Sequence, residues 1–305
     1  MKAHDAPILV LGGTGHYGRH IVRSLSARQK LVRVLSRNAA AAQHTLGNRA
    51  EIVEGDITSR PSVVEAMAGA SAILVSVSAF SPKLIRKLRL IERDSVLTVL
   101  ELAQQMGIPR LVYISVYDIR ENLVEDLGFE AARYKGEVET ALAESELNAT
   151  VLGAAPSMAI YFSMIRGSTM MVPGGGSAAL PTVSAIDVGE IAAQAVLRDD
   201  LDGRRIRMVG PEAISFPEAA KRISAVIGTD LHFRSIPLLP LQIAAIVTAP
   251  VNPYLKSLLP SIKLMNRFPQ DVVAAVRQDH QRLLDTFDYT PTTLEMEAQR
   301  WMQGQ

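Results

Sequence analysis

The stretch Gly12-Gly13-Thr14-Gly15-His16-Tyr17-Gly18, directly after the apolar run Ile8-Leu9-Val10-Leu11, constrains the fold of this chain more than any other feature. A strand, a turn with glycines at 12, 15 and 18, and the start of a helix follow one another without a spacer. Each glycine has its own reason in a phosphate-binding turn. Gly12 allows the tight reversal, Gly15 lets the backbone approach a pyrophosphate, and Gly18 lets the helix pack closely on the strand. The helix, read as residues 20–31, aims its free N–H groups and positive dipole end at the phosphates. The turn therefore predicts a dinucleotide site on an α/β fold.

The rest of the first half keeps that rhythm. Segments at 8–11, 31–35, 51–54, 72–77, 110–115 and 149–153 read as strands, several of them short continuous apolar runs as expected where both sheet faces are covered. Helical segments at 60–68, 90–106 and 133–145 lie between them. Thr58 or Ser59 caps the first of these, with Pro61 in its first turn, and Gly107-Ile108-Pro109 stops the second. Repeated strand–helix units imply a doubly wound parallel sheet, the Rossmann architecture, with its ligand at the carboxyl ends of the strands. Residues 1–153 form the expected dinucleotide-binding core. Residues 154–305 form a small substrate lobe interleaved with the sheet, with a late strand at 205–209 returning to it. In that lobe Pro173-Gly174-Gly175-Gly176-Ser177 reads as a flexible loop. Asp187 to Glu190 and Ser215 to Glu218 read as capping boxes, which makes Asp187 and Glu190 structural rather than catalytic.

The end of the second strand bears on cofactor choice. An Asp or Glu there would hold a ribose 2′-hydroxyl, but this chain has Ser36 followed by Arg37. A guanidinium beside a hydroxyl suits a 2′-phosphate through charge-assisted hydrogen bonds, so NADP(H) is expected over NAD(H).

Bulk properties close off several function classes. A net charge of +1 gives no overall electrostatic footprint for nucleic acid or an anionic membrane. The absence of cysteine removes disulfides, thiolate metal sites and cysteine nucleophiles, and the six histidines show no metal-ligand spacing. No metal is expected. The short Met1–Asp5 lead-in has the look of a cytoplasmic protein rather than a secreted one. Residues 236–259 are apolar but broken by prolines at 237, 240, 250 and 253, so no spanning helix is expected. That segment reads as a buried helix or the wall of an apolar pocket, with a peripheral membrane contact as the minor alternative.

Taken together, several stretches resemble the NmrA-like, atypical extended branch of the short-chain dehydrogenase/reductase superfamily. They are the Gly-x-x-Gly-x-x-Gly turn, Gly55-Asp56-Ile57-Thr58, Leu111-Val112-Tyr113-Ile114-Ser115, Lys135-Gly136-Glu137-Val138-Glu139, Asp187-Val188 and Gly210-Pro211-Glu212-Ala213-Ile214-Ser215. The resemblance spans roughly residues 7 to 235. It implies that Thr14, Gly15, His16, Tyr17 and Gly18 hold the pyrophosphate and that Asp56 and Ile57 meet the adenine. It also implies that Val77 and Ser78 lie along the adenosine ribose and that Pro156 shapes the nicotinamide pocket. Asp56 is equally readable as a helix cap.

Reductases of the wider superfamily use a Tyr-x-x-x-Lys pair. This chain keeps Lys135 but has Ala131 four residues earlier, and Tyr134 points elsewhere on the helix. Three readings stay open. In the first, the chain is a reductase of a small apolar, quinone- or enone-like substrate, with Lys135, Tyr117 or water as proton donor and Ser115 orienting a carbonyl. In the second it is a dinucleotide-sensing regulator with a protein partner. In the third it is a scaffold or assembly subunit that keeps its cofactor for stability.

Overall fold

Alternation within the first strand sets up both layers of the molecule. In Ile8–Leu11 (β1), Ile8 and Val10 face one apolar layer while Leu9 and Leu11 face the other, and none is more than 4% exposed. Both faces of the sheet must therefore carry helices. The computed structural model describes residues 6–118 and 128–304. The Met1–Asp5 stretch lies outside them.

Five strand–helix units build the first half. The further strands are Val32–Ser36 (β2), Glu51–Glu54 (β3), Ala72–Val75 (β4), Arg110–Val116 (β5) and Asn148–Ala154 (β6). The helices are Gly18–Ala27 (α1), Ala39–Leu46 (α2), Arg60–Met67 (α3), Ser95–Gln105 (α4) and Glu130–Ala143 (α5). The second half adds Ala159–Ser163 (α6), Ile165–Arg166 (β7), Thr169–Pro173 (β8), Leu180–Pro181 (β9), Ala185–Ala195 (α7) and Arg205–Met208 (β10). It closes with Ala213–Ile214 (β11), Phe216–Ile227 (α8), His232–Ile236 (β12), Leu238–Thr248 (α9), Tyr254–Asn266 (α10), Gln270–Thr286 (α11) and Leu294–Gln303 (α12).

The central sheet has seven parallel strands in the order β3-β2-β1-β4-β5-β6-β10. Strand order reverses between β1 and β4, and a crevice opens there at the carboxyl ends. The late strand returns to the sheet as expected, with Arg205 to Met208 in register with Val151 to Ala154. Valines and leucines of α3, α4 and α5 cover one face, and those of α1 and α7 the other. A β-carbon on Gly189 would lie 2.7 Å from the backbone of His20, so α1 and α7 cross closely only because Gly189 has no side chain.

Four local expectations need correction. The first helix runs over Gly18–Ala27 rather than 20–31, because Gln29 turns left-handed (φ 57°) and Lys30 N–H bonds back to Leu25 O. The segment 90–106 is not one regular helix: Leu90–Asp94 forms a wide turn of the i→i+5 kind before α4 begins. Asp187 does not cap α7. Ser184 does, accepting from Ile186 N–H, while the buried Asp187 carboxylate accepts from Thr292 N–H (2.9 Å) and Thr292 Oγ (2.6 Å). The glycine-rich loop is tied down. Gly174, Gly175 and Gly176 all have positive φ, and Asn266 at the end of α10 accepts from Gly176 N–H and donates to Pro173 O. That clasp seats α10 beside the crevice.

Candidate active-site cleft

A single cavity of ≈ 1310 Å³ opens at the carboxyl ends of the sheet. That exceeds a usual small-ligand pocket and leaves room for a dinucleotide and a second ligand. It gathers Gly12, Thr14, Gly15, His16, Tyr17, Ser36, Arg37, Asp56, Ile57, Val77, Ser78, Ser115, Tyr117, Lys135 and Pro156, every site residue expected from sequence except Gly18.

The three turn glycines do separate jobs. Gly12 has φ 83°, and a β-carbon there would run into the carbonyl oxygen of Ser76. A β-carbon on Gly18 would strike the carbonyl oxygen of Gly12. The fold itself demands these two. A β-carbon on Gly15 would meet only Gly12 O, at 3.0 Å, and otherwise point into open space. Gly15 is thus the least constrained of the three by the protein itself, although its β-carbon would still press on one backbone oxygen. The start of α1 has no side-chain cap and no acidic residue in its first turn, so although Arg19 and His20 N–H bond back to Gly15 O and Tyr17 O, its positive dipole end is left for an anion. Residues and space both fit a pyrophosphate.

Nearby groups are electrostatically compatible with that anion. Arg37 is exposed at the end of β2 and has no carboxylate partner among the described residues. Ser36 Oγ donates to Asn38 O, and Asn38 caps α2 by accepting from Ala41 N–H. Burial and then Arg19 hold His16 below its ordinary pKa. The same causes bring His20 to about 4, so both imidazoles are neutral at pH 7. One oxygen of Asp56 accepts from Thr58 N–H and Oγ1 (2.9 Å each), which makes it a turn cap, while Ser59 caps α3.

The centre of the cleft holds Lys135, buried on α5. Its ammonium donates to Ile114 O (3.3 Å) and lies 3.7 Å from Glu92 Oε2. Burial alone would lower its pKa, but Tyr113 and Glu92 outweigh burial and hold it above the ordinary lysine value. Glu92 is 1% exposed and sits in the wide turn before α4, where Oε1 accepts from Ala79 N–H (2.7 Å) and Ser78 Oγ (3.1 Å). Sequence reading missed Glu92. A signal existed: it shares the stripe 92, 96, 99 and 103 with buried Val96, Val99 and Ala103, where an acid is out of place without a partner.

Ser115 Oγ is buried at the cavity wall and has no protein hydrogen-bond partner among the described residues. A buried hydroxyl left in that state is one a ligand can satisfy. Tyr117 differs. Its phenol already donates to Asp279 Oδ2 (2.8 Å), and burial followed by that bond raises its pKa. The expected proton donor is therefore engaged with the C-terminal lobe. Tyr134 does not reach the cleft; it packs with Ala131, Ile85 and Leu88, under the Arg133 guanidinium.

The second half of the chain adds a largely apolar wall of Ile160, Met164, Leu241, Leu258, Ile262 and Phe268, with Ser163, Arg166 and Ser261 also lining the cavity. The apolar segment 236–259 thus supplies part of a pocket wall, but it is not a buried helix. In α9 only Ala245 is buried, because one side of the helix has nothing packed on it among the described residues.

Known proteins resemble this chain in sequence and in shape. An NAD(P)H azoreductase of Xenophilus azovorans is 23% identical over 234 residues, 76% of this chain and 77% of that protein. A (4-alkanoyl-5-oxo-2,5-dihydrofuran-3-yl)methyl phosphate reductase of Streptomyces griseus is 28% identical over 233 residues, 75% of this chain and 77% of that one. The triphenylmethane reductase of Citrobacter sp., solved with NADP(H), superposes with a TM-score of 0.74 at 18% identity, covering 96% of this chain and 99% of that one. The model of the NmrA-like family matches residues 4–295, nearly the whole length over which the glycine turn, the seven-stranded sheet and the cleft are built, and the chain belongs to that family.

Proposed function

We propose that the chain is an NADP(H)-dependent reductase that delivers hydride to a small apolar, conjugated acceptor of the quinone or enone type. The observation that carries the reading is one continuous cleft with three chemically distinct parts. The glycine turn and Arg37 form one end, Lys135 and Ser115 the middle, and an apolar wall the other end. The names of the related reductases support the acceptor class, since azo compounds and triphenylmethane dyes are delocalised systems.

A nicotinamide bound here supplies the hydride; the protein orients it and manages charge. Arg37 and Ser36 receive a 2′-phosphate, and Gly15 with the start of α1 receives the pyrophosphate. Asp56 and Ile57 border the adenine, Val77 and Ser78 the adenosine ribose, and Pro156 the nicotinamide. Lys135 holds a positive charge in the middle of the cleft, fixed by Ile114 O and Glu92, where it anchors ribose hydroxyls and favours a developing anion. Glu92 acts through Lys135 as a positioning residue. Ser115 Oγ donates to the acceptor oxygen. The phenol of the Tyr-x-x-x-Lys pair is missing, because residue 131 is alanine, and the Tyr117 phenol is bonded to Asp279. A conjugated acceptor suits such a site. Its reduced anion is already delocalised, so protonation by Lys135 or water suffices.

Oxidation of NADPH in the presence of quinones, enones and azo dyes tests the reading. Turnover is expected with at least one class, and Lys135→Ala should lower kcat by about tenfold or more, within the usual range for an acid–base or charge-holding group. No NADPH consumption with any acceptor would sink the enzyme reading.

A further inference from the structure

The apolar helix α9 is wetted on one side. Leu239, Ile243, Ile246 and Val247 follow the spacing i, i+4, i+7, i+8 and share one face. They are 65%, 54%, 73% and 70% exposed, and Val251 just beyond the helix is 81% exposed. The opposite face is apolar too, with Ala245 buried and Leu241 on the cleft wall. Apart from Gln242 and Thr248 the helix is apolar, and nothing among the described residues covers its exposed face.

Two described segments at the edge of this face carry charge of one sign. The sequence has no Asp or Glu from residue 231 to 270, where Arg234, Lys256, Lys263 and Arg267 occur. It also has none from 66 to 91, where Lys83, Arg86, Lys87 and Arg89 occur. These two acid-free segments lie side by side at the tip of the patch. Arg86 donates to the carbonyl oxygens of Pro250 (2.9 Å) and Val251 (2.6 Å), and Asn252 Nδ2 donates to Pro82 O (3.2 Å). Phe80 packs on Tyr254 across the same junction. Lys83, Arg86 and Lys87 are exposed, and among the described residues no carboxylate lies within ion-pair distance of them. Arg89 also reaches Asp94, at 3.6 Å.

We propose that this face docks on an anionic lipid surface. The helix α9 lies in the interface with Leu239, Ile243, Ile246, Val247 and Val251 in the acyl boundary, and the basic segment sits at the level of the headgroups. An aliphatic stripe beside unpaired lysines is the combination such binding uses: apolar area supplies the depth and cationic side chains supply attraction to acidic lipid. Leu241, Tyr254 and Leu258 come from the same segment and wall the cleft, so docking would bring an apolar acceptor site to the lipid boundary. The inference does not depend on the reductase reading, since lipid binding is measured without nucleotide or acceptor.

Flotation of the full chain with vesicles tests it, using phosphatidylcholine alone and phosphatidylcholine with an equal share of phosphatidylglycerol. The protein is expected to float with the anionic vesicles, about tenfold less with the neutral ones, and less at high salt. Ile246→Asp with Val247→Asp should reduce flotation about tenfold or more, as should Lys83→Glu with Lys87→Glu. Unchanged unfolding midpoints and circular dichroism would show that the variants fold. Equal binding to both vesicle types, binding to neither, or indifference to the Ile246 and Val247 changes would overturn the proposal. A dimer that Ile246→Asp dissociates, with no vesicle binding, would instead assign the face to a second copy of the chain.

Discussion

The two ends of the cleft are built in different ways. At the glycine-turn end the lining groups come from consecutive residues at strand ends: Gly12 and Thr14 to Tyr17 after β1, Ser36 and Arg37 at β2, Asp56 and Ile57 after β3. At the apolar wall they come from Ile160, Met164, Leu241, Leu258, Ile262 and Phe268, more than a hundred residues of chain folded onto one wall. The first end is written in local spacing, because a turn's geometry fixes which residue can stand where. The second depends on how separate helices meet, and no spacing rule reaches that far.

The difference can be broken at its root. Gly12→Ala should cost several kcal/mol, visible as a large fall in Tm, because its β-carbon meets the backbone oxygen of Ser76 and its φ is positive. Gly15→Ala, three residues on, should lower Tm much less than Gly12→Ala, since its β-carbon would meet one backbone oxygen at 3.0 Å, and should weaken dinucleotide binding about tenfold or more, measured by calorimetric titration. Equal effects of the two changes on stability would erase the distinction between fold glycine and ligand glycine.

A buried contact within the second half offers the next test. Burial raises the Asp187 pKa from 3.8 to about 6, against the lowering effect of its bonds to Thr292. Because the folded pKa lies above the unfolded one, stability from this group is present below about pH 4 and lost as pH rises through 6. Asp187→Asn should remove that slope. The stability gap between variant and parent should change by about 2–3 kcal/mol between pH 4 and pH 7, in the sense that acid favours the parent. Parallel curves for the two proteins would count against a buried, proton-linked latch.

A smaller effect sharpens the glycine-turn end. Arg37→Ala should weaken NADPH binding about tenfold, roughly one charge-assisted hydrogen-bond pair, and leave NADH affinity unchanged. Equal losses for both would remove the 2′-phosphate assignment.

Legibility followed the range of the interaction. The strand boundaries of β1, an apolar run, and of β3, an Ile-Val pair between glutamates, could be read to the residue. Lys135 and Ser115 were identifiable because their strand and helix follow the family pattern. Glu92 was not, since a glutamate in a helical segment usually faces water, and only the fold brings it 3.7 Å from Lys135. Tyr117 was placed at the cleft, but its bond to Asp279 joins residues 162 apart.

By itself the sequence determined the doubly wound sheet, the glycine turn and the strand-end positions, because hydrophobic alternation and backbone sterics act within a few residues. Only the tertiary structure decided three things: that Lys135 is paired with a buried carboxylate, that the Tyr117 proton is committed elsewhere, and that α9 walls the cleft with one face while exposing the other. Pairing of charges and burial of faces are properties of what lies across the gap, and the chain meets its own distant segments only when folded.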